Sequence, residues 1–311
     1  MDKTEIKNNF STDVSVAVLM QTYNHEKYIA EAIEGVLSQK TDFPVYLIIS
    51  DDCSKDKTFV IASGFSNRNN VQIYATQTSE NIGAVANGAR QRQQGIDSSC
   101  KYIAICEGDD YWIDDLKLQK QIDYLESNPD AIICFTSIKV FDDDIQQMVP
   151  YWGANTPDIK FTMKELIKGN VAPACSVVFR NRLAAIKQHT FEGVSIVDWV
   201  LYLLLVGNGY AKYLNFESAV YRLSSGSFYS KNTLEQQMEK KKVAYEYLLQ
   251  SPELYPWKKN ILMSYYLNLY SLAIRLPVND PTRKKYLKSI IGRIVNGNLT
   301  LAGKALFKYF G

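Results

Sequence analysis

The chain is poor in the residues that mark several common chemistries. It has two histidines, His25 and His189, in 311 residues, and its five cysteines include no CxxC pair. That spacing excludes a zinc site of Cys/His type. Charge of one sign is missing too. Thirty-five basic residues face 33 acidic ones for a net charge of +2, which argues against a nucleic-acid binder. No stretch reaches about 18 uninterrupted apolar residues, and Met1 to Asp13 is a polar tail without an apolar signal core, so neither a membrane span nor secretion is expected. No GxGxxG follows the first apolar run, and no GxxxxGK[ST] occurs anywhere. Dinucleotide binding and P-loop phosphate cradling therefore lose their main signals. Cys100, Cys106, Cys134 and Cys175 sit in or beside apolar runs. The expectation is free, mostly buried thiols in a cytoplasmic chain.

What is present reads as one large domain with an appendage. Val14 to Met20, Val45 to Ile49, Val71 to Ala75 and Tyr102 to Cys106 are short, β-branched, nearly continuous apolar runs, as buried parallel strands require. Helical spacing separates them: about His25 to Gln39, with Asn24 as its expected cap, then Lys55 to Phe65 and Asn81 to Arg92. This β-α-β-α-β-α-β rhythm predicts an α/β fold with a mostly parallel, doubly wound sheet. Beyond Cys106, Asp114 is expected to cap a helix that Asn128-Pro129 stops. Ala131 to Phe141 reads as a strand or hairpin arm, and a helix around Asp198 to Val206 precedes strands near Tyr210 and Ala219. Ser224-Ser225-Gly226-Ser227 is the most linker-like stretch, and the chain from Thr233 onward is helical by pattern.

Ligands of open parallel sheets sit at the carboxyl ends of the strands. Three strand ends here carry suggestive residues: Gln21-Thr22-Tyr23-Asn24, Ser50-Asp51-Asp52 and Glu107-Gly108-Asp109-Asp110. Carboxylates stand where a dinucleotide fold has glycines, and clustered oxygens suit Mg²⁺ or Mn²⁺ shared with substrate phosphates. The plainer alternatives are a solvated acidic loop at 107–110 and, for Asp51 and Asp52, a cap and an Asx-turn.

Four segments together, VSVAVLMQTYNHEKYIAEAIEGVLSQ, VYLIISDDCSKDKT, SENIGAVANGA and YIAICEGDDYWIDDLKLQKQIDYLESNP, closely resemble the inverting family 2 glycosyltransferases of GT-A fold. The EGDDYW form of the metal motif resembles the branch found among bacterial surface-polysaccharide enzymes. The resemblance implies a GT-A domain over residues 14–225, with a nucleotide-binding half (14–112), an acceptor half (113–225) and a C-terminal helical region (226–311). It implies that Gln21 and Tyr23 line a nucleotide pocket, Tyr23 offering an aromatic face to the base. Asp52 would accept from the uracil N3–H with Asp51 beside it, and Asn81 and Gly83 would lie in the loop near the nucleotide. Glu107 and Asp109 occupy the outer places of the DxD motif. Asp109 would bind the divalent cation, and Glu107 would approach the ribose or a metal-bound water, with Asp110 orienting from behind. Family members often have Asp where Glu107 stands, so its direct ligand role is less defined.

Inverting transfer needs one carboxylate as general base. The resemblance places it at Asp198, heading the apolar helix WVLYLLLV; a helix N-cap is the plainer alternative. Many relatives carry an acid just before the base, where this chain has Val197. Trp199 reads as core. Arg222 would reach the diphosphate or form a structural salt bridge, and Ser224 stands where relatives often have histidine. His25 reads as a capped, solvent-facing residue and His189 as surface. The implied reaction moves a sugar from a nucleotide-diphosphate donor, UDP-linked by expectation, to a glycan or polyprenyl-linked acceptor in cell-surface polysaccharide synthesis. The rivals are a nucleotide-binding, non-catalytic homologue and a metal-dependent nucleotidyltransferase, which lacks its glycine-rich basic loop here. Pro281 to Gly311 holds seven Lys/Arg and no acid. It reads either as a basic amphipathic helix lying at the inner face of the membrane or as a helix packed on the domain with a solvated basic face. The helices from Thr233 to Leu276 are candidate homodimer contacts.

Overall fold

The computed structural model describes residues 14–149, 156–223 and 233–293. The tail 1–13, the linker at 224–227 and the basic residues Lys304 and Lys308 lie outside the described residues. The elements run β1 (Val16–Thr22), α1 (Ile29–Leu37), β2 (Val45–Asp51), α2 (Thr58–Ser63), β3 (Val71–Gln77), α3 (Ala84–Asp97), β4 (Tyr102–Ile105), β5 (Tyr111–Trp112), α4 (Lys117–Ser127), β6 (Ala131–Asp142), β7 (Gln147–Val149), β8 (Ile159–Phe161), α5 (Met163–Leu166), β9 (Val178–Arg180), α6 (Val197–Val206) and β10 (Tyr210–Leu223). Three C-terminal helices follow, α7 (Leu234–Gln250), α8 (Lys258–Ala273) and α9 (Pro281–Arg293).

The sheet order is β3-β2-β1-β4-β9-β6-β10-β5, with β7 on β6 and β8 on β10. The β3-β2-β1-β4 block is parallel throughout. β9 is antiparallel to both β4 and β6, and so restores the common direction in β6 and β10. Val16 to Met20 and Val45 to Ile49 are buried, because helices cover both faces of a parallel sheet. Their side chains divide alternately between two cores: Ala17 and Leu19 on one face, Val16, Val18 and Met20 on the other.

Two local expectations are corrected. Asn24 does not cap α1, which starts only at Ile29. Asn24 has φ 55° and its Oδ1 accepts from Lys55 N at 2.8 Å. The segment 24–26 is instead laced to 54–58: Asn24 N donates to Ser54 Oγ (2.9 Å), His25 N to Thr58 Oγ1 (2.7 Å) and Lys57 N to Glu26 Oε2 (3.0 Å). The strands near Tyr210 and Ala219 are one strand, β10, whose pairing with β6 slips between Leu214 and Ala219. A bulge is not visible in a hydrophobicity pattern.

The C-terminal helices share the core of the sheet domain. Tyr245 OH donates to Ile167 O at 2.9 Å and its ring meets Trp199 edge-on at 5.0 Å. In α9, Tyr286 and Ile290 are buried while Lys284, Lys285 and Lys288 face solvent. Over the described residues the helix is thus packed on its own domain with a solvated basic face. No helix among the described residues is long and apolar enough to cross a membrane.

Candidate active site

The C-terminal end of β1 ties two acidic strand ends together. Thr22 pairs with Asp51 in the β1–β2 register, and Asp52 N donates to Thr22 O at 3.0 Å. On the other flank β4 ends early, at the level of Leu19, so the chain beyond it folds back along Gln21 and Gly108 N donates to Gln21 O at 2.8 Å. Gly108 has to be glycine. A Cβ there would lie 2.8 Å from Thr22 Oγ1 and 3.0 Å from His25 Nδ1.

The two acidic ends differ in their hydrogen bonding. Asp51 accepts from Ser54 N (2.9 Å), the Ser54 hydroxyl and Gln77 Nε2 (2.8 Å). Asp52 accepts from Ile82 N (2.8 Å), Gly83 N (2.9 Å) and Thr78 Oγ1 (3.3 Å), while Asn81 Nδ2 donates to Asp52 O at 3.2 Å. The expected companions Asp52, Asn81 and Gly83 are therefore brought together, and Asp52 holds the loop that leads into α3. Gly83, at φ 84°, makes that entry. Gln21 abuts α3 at Gly88, and Tyr23 lies exposed at the rim.

Around the second acidic end the carboxylates crowd one another. Burial, then Asp109, then Asp198 push the Glu107 carboxyl well above the usual carboxylate range. Asp110, 1% exposed, is raised by burial and by the charges of Asp109 and Glu107; its Oδ1 accepts from Arg222 N at 2.9 Å. Asp198, in the first turn of α6, is raised by burial, and Asn170 Nδ2 donates to its Oδ2 at 2.5 Å. Tyr202, one turn further along α6, has a buried hydroxyl without a hydrogen-bond partner among the described residues. Burial and the charges of Asp198 and Glu107 keep it protonated.

Arg222 is a strut of this turn. It donates to Asp109 O at 2.7 Å, forms a salt bridge with Glu31 and lies between the rings of Tyr28 (5.0 Å) and Tyr111 (4.4 Å). Of its two expected roles, the described contacts show the structural salt bridge. Trp199 is core: it is 3% exposed and its Nε1 donates to Leu166 O. His189, read as surface, is half-buried, its side chain bonded to Tyr247 OH (2.9 Å) and paired with Glu253 (3.2 Å). His25, read as solvent-facing, turns inward, its Nε2 3.9 Å from Asp109 Oδ2. Glu31, Asn170 and Tyr202 were not legible as site residues. Only Tyr202 left a signal, the four-residue spacing from Asp198 that puts both on one helix face.

Among the described residues no group of three or more His, Cys, Asp or Glu is placed to hold a metal by itself. Glu107 and Asp109, on either side of Gly108, carry the oxygen donors that a hard cation such as Mg²⁺ takes alongside diphosphate oxygens.

The architecture is that of the GT-A glycosyltransferases. Residues 17–187 match glycosyl transferase family 2, and the chain belongs to that family. The UDP-GlcNAc complex of residues 1–349 of TarS from S. aureus superposes with a TM-score of 0.66 at 18% identity, over 89% of this chain and 81% of that one. A mannosyltransferase from Pyrobaculum calidifontis, solved with GDP-Man and Mn²⁺, gives 0.55 at 13% identity over 94% and 78%. By sequence, an uncharacterized protein of Mycobacterium tuberculosis (strain ATCC 25618 / H37Rv), Rv1520, is 31% identical over 67% of this chain and 58% of its own length. TuaG of Bacillus subtilis (strain 168), whose assignment as a teichuronic acid biosynthesis glycosyltransferase is provisional, is 28% identical over 69% and 81%. The chain spans under two thirds of the length of the mycobacterial relative.

Proposed function

We propose that this enzyme is an inverting glycosyltransferase that moves a sugar from a UDP-linked donor to a cell-surface glycan. One arrangement carries the reading: Glu107 and Asp109 stand on the turn after β4, whose Gly108 N–H is tied to the end of β1, and the charges of Asp109 and of Asp198, from the first turn of α6, both bear on the Glu107 carboxyl. The reading takes Glu107 and Asp109 as the carboxylate pair for the donor diphosphate and Asp198 as the carboxylate for the acceptor. The preference for UDP rests on the TarS complex, and the glycan acceptor on the names of TarS and TuaG.

In this reading Tyr23 and Gln21 border the nucleotide, and Asp52 orders the Asn81–Gly83 loop against it while keeping spare acceptor capacity for the base. A carboxylate offers about four lone-pair positions, and three bonds reach Asp52. Asp109 and Glu107 would hold a divalent cation, Mn²⁺ or Mg²⁺, which when bound offsets the charge of the departing diphosphate. Arg222 and Asp110 fix the turn that presents them. Asp198 takes the proton from the acceptor hydroxyl as it attacks the anomeric carbon from the face opposite the leaving group, so an α-linked donor gives a β-linked product. The raised proton affinity that burial gives Asp198 makes it a better acceptor of that proton. The exposed basic face of α9 suits an anionic bilayer carrying a polyprenyl-linked acceptor.

A panel of nucleotide sugars assayed for released diphosphate, with and without Mn²⁺, tests this directly. The reading predicts UDP release stimulated by Mn²⁺ and lost in Asp198→Asn and Asp109→Asn. Full turnover by either variant removes the corresponding role.

A further inference from the structure

His25 has no part in the chemistry so far, yet its backbone is fixed on three sides. Asn24 in a left-handed conformation turns the chain, and the bonds from Asn24 N to Ser54 and from His25 N to Thr58 hold the ring in place. Tyr28 meets it edge-on at 6.4 Å. Among the described residues neither its Nδ1, buried beside Gly108, nor the buried Thr22 Oγ1 next to that glycine has a hydrogen-bond partner. A buried N–H without an acceptor is rarer and costlier than a bare lone pair. The tautomer with its proton on Nε2 leaves only a bare lone pair enclosed against Thr22 and Gly108. Nε2 faces Asp109, 3.9 Å from its Oδ2, a span that one intervening oxygen atom bridges.

We infer that His25 is a positioning residue for Asp109: its Nε2–H, aimed by the buried Nδ1 face against Thr22 and Gly108, sets the orientation in which the Asp109 carboxylate meets the cation. The inference rests on the proposed cation role of Asp109 and adds the group that orients it. Partners of this kind around a metal site typically change affinity by about 10- to 100-fold when removed.

Two amides separate the roles of the two ring nitrogens. Glutamine places an amide N–H near the position of Nε2, and asparagine places one near Nδ1. Mn²⁺ binding to the UDP complex of the full chain, followed by electron paramagnetic resonance of the free ion, is the readout, with UDP affinity in chelator and the melting temperature measured alongside. The expectation for His25→Asn and His25→Ala is Mn²⁺ binding weakened by about tenfold or more. His25→Gln should stay within about threefold of the parent, and metal-free UDP affinity should be unchanged in all three. Asparagine binding as tightly as histidine, or glutamine as weakly as alanine, overturns the inference. Asp109→Asn tells the two levels apart. If it also leaves Mn²⁺ binding intact, the cation reading itself fails; if it alone abolishes binding, only the role of His25 falls.

Discussion

An acidic pair and an acidic triplet follow two parallel strands, and the fold treats them in opposite ways. Asp51 and Asp52 are buried, and each accepts three hydrogen bonds from the turn, the neighbouring strand or the loop before α3. The charges of Asp109 and Glu107 bear on Asp110, and those of Asp109 and Asp198 on Glu107, with burial raising Glu107 and Asp110 together. The first pair orders the turn at Ser54 and the loop before α3. The second is an arrangement the protein holds at a cost to its own stability, as groups arranged for chemistry often are.

Breaking the crowded set should therefore remove activity while relieving strain. Asp109→Asn and Asp198→Asn are each expected to lower turnover by about 10³-fold or more in a diphosphate-release assay. Glu107→Gln should raise the melting temperature, with a definite pH dependence. The folded carboxyl binds its proton more tightly than the unfolded one, so the parent loses stability as pH rises from the ordinary Glu range through the raised value. The gain from glutamine is then larger near pH ~8 than near pH ~5; an equal gain at both would show that Glu107 is not held protonated.

Breaking the satisfied pair should do the reverse. Asp52→Ala leaves the Ile82 and Gly83 N–H groups without their acceptor. A destabilisation of about 2 kcal/mol is expected in urea melts, together with weaker UDP binding as the loop loses its anchor.

Lys117 sharpens the comparison from behind the acidic turn. It is fully buried, donates to Gln121 at 2.7 Å and lies 4.3 Å from the Trp112 ring centre; burial brings its ammonium down to about 8. The folded state thus binds that proton less tightly than the unfolded one, and stability gained by deprotonation appears between about 8 and the ordinary lysine value. Lys117→Met should raise the melting temperature below that window, and the advantage should vanish above it. The smallest effect is expected at the rim. Tyr23→Ala should weaken UDP binding by about three- to tenfold, the range of one aromatic contact, with no change in melting temperature because Tyr23 is exposed.

The parallel block was legible because buried strands of Val, Ile and Leu between amphipathic helices leave few other folds open. The acidic strand ends were legible because the register of such a sheet puts Thr22, Asp51 and the turn after Ile105 at one edge. The stretch 113–223 was less so. β9 runs against its neighbours and β10 carries a bulge, and neither leaves a periodic signal.

The sequence by itself determined the strand order of chemistry: which carboxylates stand at which strand ends, and that no glycine-rich loop competes with them. Tertiary structure alone decided which of those carboxylates are neutralised by N–H donors and which are left to repel one another. It also decided that His25 faces Asp109 and that Arg222 is drawn to Glu31, 191 positions away in the chain. The reason is that solvation and charge pairing depend on distance in space, which a residue's neighbours in sequence do not set.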